Sequence, residues 1–364
     1  MTDTKTGPLR GLRVVEFAGI GPGPFACMLL ADMGADIVTI ARRGQIKAHP
    51  GNFTQRGRRV VELDLKADAD REAALSLIER ADVLIEGFRP KVMERLGLGP
   101  DVALQRNPRL VYGRMTGWGQ EGPLSQAAGH DINYIAITGA LDSFRAGNGE
   151  LVSPLNLVGD YGGGALYLVV GVLAAHIEAK ASGQGQVVDA AMCDGASSLI
   201  TMFHALSAMG QWTDRPRTNL LDGGAHFYRV YECKDGRHFS VGAIEPQFYK
   251  ELLERAGIDD PDFQAQNDRA QWADLSDKLA AIFKTKTRDE WAALLEGTDA
   301  CAMAVQTLHD APNHPHLKAR ETFVARDGLT QPAPAPRFSR TPSAIGASPA
   351  AAPIPVRDAL GAWA

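Results

Sequence analysis

Three ionisable side chains stand where proton transfer could use them. His130 lies in Gly129-His130-Asp131-Ile132-Asn133-Tyr134, after a glycine-dense stretch (Gly117, Gly119, Gly122) and before the apolar pattern of residues 135–141. That placement predicts a helix N-terminus, whose positive end favours the uncharged imidazole that a base needs. A capping or merely packed histidine fits the same position. Asp160 precedes Tyr161-Gly162-Gly163-Gly164 at the head of an apolar helix over 165–178, the place of an N-cap. Three successive glycines cost about 0.5–1 kcal/mol each in a helix relative to alanine, so close approach by a ligand or another backbone accounts for them better. Glu245, in Val241-Gly242-Ala243-Ile244-Glu245-Pro246-Gln247-Phe248-Tyr249, marks a step from strand to helix. It reads either as an acid favouring a helix N-terminus or as a carboxylate that orients a histidine.

A second set of residues suits an anion. The loop Gly19-Ile20-Gly21-Pro22-Gly23-Pro24 follows an apolar run at 12–17, where dinucleotide-binding proteins carry G-x-G-x-x-G. Pro24 takes the third glycine position and Pro22 removes another amide donor, whereas a phosphate cradle needs those N–H groups. The next apolar run ends at Ile40 and leads into Ala41-Arg42-Arg43, not into the acid that would hold a nicotinamide ribose. Arginines there suit phosphate, so a different phosphorylated nucleotide is expected.

Elements must position these groups. Apolar runs at 12–17, 35–40, 81–85, 110–112 and 186–190 alternate with helical patterns such as 25–33 and 70–80. Alternation of this kind predicts an α/β fold with a parallel, doubly wound sheet. Near residue 220 the pattern changes. Runs at 227–233 and 237–241 flank Lys234-Asp235-Gly236, a hairpin turn signal. Helical patterns follow at 246–256 and 272–283, and Thr287 with Glu290 has capping-box spacing, so a second, α+β domain is expected. Proline at every second position of 331–336 and the Ala- and Pro-rich run 349–355 favour extended chain, a linker or strap. No repeat of fixed period is evident.

Composition bounds the partners. The chain has 364 residues, 45% hydrophobic and 22% charged, with a net charge of -5. That length allows two domains. The acidic balance, without a basic run, argues against nucleic acid and an acidic membrane surface. The first residues lack the apolar core of a signal peptide, and the longest apolar stretch, 165–177, falls short of the ~18 residues that span a bilayer. A soluble, cytoplasmic protein is expected. Cys27, Cys193, Cys233 and Cys301 are scattered, and His314 and His316 flank Pro315 without partners at ligand spacing, so neither disulfides nor metal are expected.

Taken together, the motifs resemble the class III CoA-transferase (CaiB/BaiF-like) superfamily, and within it the α-methylacyl-CoA racemases. The markers run nearly end to end: Gly11-Leu12-Arg13-Val14-Val15-Glu16 with the Gly19–Pro24 loop, Leu63-Asp64-Leu65-Lys66, Gly87-Phe88-Arg89-Pro90, the His130 and Asp160 motifs, Gly223-Gly224-Ala225, and Ile244 to Tyr249. The resemblance implies a Rossmann-like large domain over 1–205 completed by a returning segment, 328–364, and a small domain over 222–322. It also implies an interlocked homodimer whose active site lies between the large domain of one subunit and the small domain of the other.

By the same resemblance, Arg42 and Arg95 would hold the phosphates of CoA. Leu63, Asp64, Leu65 and Lys66 with Gly87, Phe88, Arg89 and Pro90 would line its adenine and pantetheine path. Lys91, Gly129, Asp131, Ile132, Asn133 and Tyr134 complete the implied substrate-binding set. His130 and Asp160 would be the acid/base pair and Glu245 the partner of His130. The chemistry of a thioester enolate also asks for donors, and backbone N–H groups near Asp160 at the glycine-rich helix start are expected to supply them. The implied reaction is the 1,1-proton transfer that interconverts (R)- and (S)-2-methylacyl-CoA, without metal or redox cofactor, CoA being part of the substrate. Transferases of the superfamily use an aspartate at the Asp160 position as a nucleophile, so CoA transfer is the alternative, and histidine at 130 favours the racemase. Glycine is in excess at 38 residues and gathers in the motif loops, which reads as backbone cleared for a thioester.

Overall fold

The computed structural model describes residues 6–47, 49–347 and 352–363. The expectations about the first residues of the chain and about 349–355 fall partly outside them. The chain divides into two compact units: the residues up to Ala140, Pro154–Ile200 and those from His316 onward form one, and Leu141–Ser153 with Thr201–Pro315 form the other. The expected borders shift accordingly, from 205 to 200 and from 328 to 316, and 141–153 leaves the first unit. Helices at Met192–Leu199 and Thr201–Ala208 follow each other almost without a break, so no loop composition marks that border.

In the first unit the chain runs β1 (Arg13–Phe17), α1 (Pro22–Asp32), β2 (Asp36–Ala41), β3 (Arg58–Glu62), α2 (Asp68–Ile78), β4 (Val83–Glu86), α3 (Val92–Arg95), α4 (Pro100–Arg106), β5 (Val111–Thr116), α5 (Asp131–Ala136), α6 (Leu166–Ser182), β6 (Gln186–Ala191) and α7 (Met192–Leu199). The six strands form one parallel sheet in the order β3-β2-β1-β4-β5-β6. This is the doubly wound α/β arrangement expected from the alternating runs. Successive strand residues serve opposite faces. Val14, Ile37, Val83 and Val111 join α1 and α6 in one core, while Val15, Val38, Leu84 and Tyr112 join α2 and α4 in the other. Burial on both sides explains why these strands read as continuous apolar runs. β3 escapes that reading because it begins Arg58-Arg59. Arg58 is nevertheless buried, its Nε 2.9 Å from the buried Glu16 carboxylate.

Asp160 does not cap a helix. It lies inside a π-helix, Leu157–Ala165, that continues into α6, and Tyr161 N–H donates five residues back, to Asn156 O, at 3.3 Å. The joined helix covers 26 residues, Leu157–Ser182, long and apolar enough to cross a bilayer, which corrects the shorter stretch read from sequence. Leu168, Val169, Val172, Ala175 and Ala179 are packed in the core of the unit, so this face is that of a core helix. Val170 and Ile177, on the other side, are 67% and 70% exposed.

The second unit holds α8 (Thr201–Ala208), β7 (Tyr228–Glu232), β8 (His238–Gly242), α9 (Pro246–Ala256), α10 (Trp272–Phe283), α11 (Arg288–Leu295) and β9 (Ala302–Ala304). β7, β8 and β9 form an antiparallel sheet. The Asp-Gly turn closes as expected, with Cys233 N–H donating to Arg237 O at 2.7 Å. Thr287 and Glu290 make the anticipated capping box. The three residues of β9 are too few to show any period. Trp291, Phe227, Phe239, Phe263 and Phe283 fill the core.

The segment that returns to the first unit is tied down by polar contacts. Part of the proline-rich stretch is strand, not linker: β10 (Phe323–Arg326) pairs with β11 (Leu329–Pro332). Arg56, 3% exposed, donates to Gln331 Oε1 at 2.7 Å and to Pro332 O at 3.0 Å, and grips the buried Asp32 carboxylate through Nε (2.9 Å) and Nη2. Further along, Ile354 N–H donates to Val60 O at 2.8 Å, and Ala359 and Trp363 enter the core beside α2. Replacing Arg56 by alanine leaves Asp32 buried without its partner, which costs about 3–5 kcal/mol. Denaturant titration is expected to read that loss, with faster hydrogen exchange in β11. Unchanged stability would contradict this account of the strap.

Candidate active site

The strand order turns at β1 and β4, so the crevice beyond their carboxyl ends is left open by the helices, as in other open α/β sheets. A cleft of about 880 Å³ lies there. Gly21 and Pro22 line it after β1, Gly87 to Pro90 after β4, and Gly117 and Trp118 after β5. Gly129, His130, Asn133 and Tyr134 at the start of α5, and Asn156, Asp160 and Tyr161 of the π-helix, complete the lining. His130 and Asp160, thirty residues apart in sequence, thus share one cavity.

Each is held by its backbone. His130 occupies the N-cap position of α5, as expected, and its N–H donates to Asn133 Oδ1 at 3.0 Å. Asp160 N–H donates to Asp131 Oδ2 at 2.6 Å, and Asp160 Oδ2 accepts from Asn156 Nδ2 at 3.1 Å. Asp131 is 7% exposed, and its Oδ1 has no hydrogen-bond partner among the described residues. Burial pushes the half-buried Asp160 carboxyl above the usual range, and the nearby Asp131 charge pushes the same way, against the Asn156 hydrogen bond and the neighbouring His130. A Cβ on Gly21 would lie 2.8 Å from Asp160 Oδ2, so glycine keeps this carboxylate open to the cleft. The amides of 160 and 161 already have acceptors. They are therefore not the free enolate donors expected near Asp160.

Tyr134 forms a wall. Its hydroxyl donates to Gly129 O, and its ring stands edge-on to Trp118 with centroids 4.7 Å apart. A Cβ on Gly117 would lie 2.0 Å from that ring.

A smaller cavity of about 340 Å³ adjoins the cleft and shares Phe17, Gln45 and Phe88 with it. Arg42, Leu63, Asp64, Leu65 and Lys66 line it, at the ends of β2 and β3. Lys91, Arg95, Asp131 and Ile132 line neither cavity. Lys91 precedes α3 with φ 69°, and it, Arg95 and Ile132 are exposed. Glu245 belongs to the other unit, where it is exposed at the N-cap position of α9 and makes no side-chain capping bond.

Sequence reasoning missed the support beneath the 87–90 turn. Glu86, 1% exposed, accepts Phe88 N–H at 2.7 Å and pairs with Arg114 at 3.0 Å, and Arg114 also reaches Glu94 at 2.9 Å. Burial pushes the Glu86 carboxyl up to about 7. A charged residue ending an apolar run was the available signal. Among the described residues no group of three His, Cys, Asp or Glu side chains could hold a metal ion.

The chain matches the family model for CoA-transferase family III over residues 9–354. The chain belongs to CoA-transferase family III. It is 44% identical over 337 residues to alpha-methylacyl-CoA racemase of Mus musculus, and 39% identical over 336 residues to that of Homo sapiens. Both alignments cover 92% of this chain and 87% of the relative. A crystal structure of a CaiB/BaiF family protein from Brucella suis agrees in fold, with a TM-score of 0.79 over 99% of this chain and 100% of that one at 23% identity.

For this member of CoA-transferase family III, the like-charge contact at Asp160 has a measurable consequence. Asp131→Asn keeps an oxygen to accept the Asp160 N–H but removes the charge that favours a proton on Asp160. The Asp160 carboxyl is then expected to titrate at lower pH than in the wild type, read by ¹³C NMR of labelled aspartate. An unmoved titration would assign the upward shift to burial alone.

Proposed function

We propose that the protein interconverts (R)- and (S)-2-methylacyl-CoA thioesters by 1,1-proton transfer through an enolate. The supporting observation is that His130 and Asp160 line one cleft, in a chain 44% identical to an alpha-methylacyl-CoA racemase. A thioester α-proton is weakly acidic, so a base must sit on it while developing negative charge is stabilised. His130 takes the proton from one face and becomes a cation beside the enolate. Asp160, whose environment favours the protonated carboxyl, delivers a proton to the other face. The return reaction runs with the roles exchanged. With the amides of 160 and 161 engaged, the enolate oxygen draws on other donors of the lining.

Coenzyme A belongs to the substrate in this reading, and the chemistry calls for no metal or redox cofactor. Arg42 and Arg95 hold its phosphates, and the cavity beside Leu63 to Lys66 leads past Phe88 into the cleft. A cytoplasmic homodimer completes the site, with Glu245 of the partner subunit orienting His130. Leu155, Leu157, Val170 and Ile177, between 57% and 72% exposed, supply apolar surface for such an association. The missing capping bond of Glu245 leaves its carboxylate available.

One epimer of a 2-methylacyl-CoA incubated in D₂O is expected to acquire deuterium at C2 and to epimerise without an acceptor acid. Absence of both across several chain lengths would overturn the proposal. A hydroxylamine-sensitive adduct on Asp160 without exchange would point instead to CoA transfer through an acyl anhydride. His130→Ala and Asp160→Ala are each expected to lose about 10²–10⁴-fold in rate while still binding CoA. Glu245→Gln should lose less, since orientation goes but the base stays.

A further inference from the structure

Glu245 owes its place to the two residues before it. After Gly242 the chain leaves β8: Ala243 N–H donates to Phe227 O at 2.9 Å and Ile244 N–H turns back to Gly242 O at 3.0 Å. The carbonyls of Ala243 and Ile244 then need donors from outside the sheet, because buried backbone acceptors are seldom left unpaired. One side chain supplies both. Gln266 Nε2 donates to Ile244 O at 2.9 Å and to Ala243 O at 3.2 Å. Gln266 is 7% exposed and follows the short 3₁₀ turn Pro261–Ala265. Its backbone carbonyl accepts the indole N–H of the buried Trp272, at the start of α10, at 2.8 Å. The residue is therefore held through its side-chain amide on one side and its main chain on the other.

The helix beyond Glu245 is pinned as well. Tyr249 Oη donates to Phe263 O at 3.0 Å and so accepts from His226 Nε2 at 2.7 Å. Burial holds His226 down to about 4, and the ring stays neutral in this contact. Both pins draw on the segment 263–266, and between them stands an exposed carboxylate that does no capping.

We propose that Gln266 is a positioning residue for Glu245, fixing the Ala243-Ile244 step from which the carboxylate projects. The role rests on the reading of Glu245 as the partner of His130. A Gln266→Met variant keeps the volume and loses both hydrogen bonds. In the full-length enzyme assayed with 2-methylacyl-CoA, its kcat is expected to fall about 10-fold, with KM within about twofold of wild type. The acid limb of its pH profile should move in the same direction as in Glu245→Gln. The double variant should be no slower than Glu245→Gln alone, since a carboxamide at 245 no longer gains from being aimed. If Gln266→Met fails to fold, Trp272→Phe removes the bond that anchors the Gln266 main chain and should give a smaller loss of the same kind. Wild-type kcat in the variant that folds, beside an impaired Glu245→Gln, would overturn the positioning role alone, as would losses that multiply in the double variant. A wild-type rate in Glu245→Gln would overturn the assignment of Glu245 and this role with it.

Discussion

One hydrogen bond joins the two elements that carry His130 and Asp160, the proposed acid/base pair: the Asp160 N–H on the Asp131 carboxylate, 2.6 Å long. Asp131 follows His130 directly, so the contact that fixes the π-helix also fixes the start of α5. It sets the electrostatics too. Burial raises the Asp160 carboxyl most, and the Asp131 carboxylate beside it pushes the same way. The geometry tolerates no side chain at 159, where a Cβ would lie 2.5 Å from Asp131 Oδ2. Position, charge and backbone thus depend on the same contact.

The glycine excess belongs to this architecture more than to the ligand. At Gly163 and Gly195 the π-helix and α7 meet backbone to backbone, and a Cβ on Gly195 would fall 1.8 Å from Gly163 O. Gly117 makes room for Tyr134 in the same way. Gly21 alone, of these, clears space in front of the Asp160 carboxylate. The sequence reading had left open whether a ligand or another backbone approaches the 162–164 run. Another backbone does, and the wide π turn that results is what carries Asp160 into the cleft.

The sheet was legible because its strands are buried on both faces and therefore announce themselves as Val- and Ile-rich runs. β3 was not, since its leading arginines are neutralised by groups distant in sequence, Glu16 among them. The hairpin of the second unit was plain from Asp235-Gly236, and α9 and α10 matched their patterns end to end. His130 was readable as a helix start because a polar residue precedes an apolar period. Asp160 looked like a cap for the same reason, and no local pattern distinguishes a cap from the fourth residue of a π-helix. Gln266 and Glu86 gave little sign of their contacts, which depend on residues brought together only by folding.

The balance between acid and nucleophile at Asp160 is decided by surroundings, not by residue type. A carboxylate that attacks an acyl carbon works best when ionised and exposed, with donors that do not favour its protonation. Asp160 is half-buried, has a like charge behind it, and receives one neutral hydrogen bond from Asn156. Those conditions raise the Asp160 carboxyl above the usual range, which suits the acid of the proposed reaction, with His130 in the same cleft as the proposed base. The arrangement suits the proposed pair, whose members would exchange protonation states in each turnover, and the Asp131 charge adds to the burial that raises the Asp160 carboxyl.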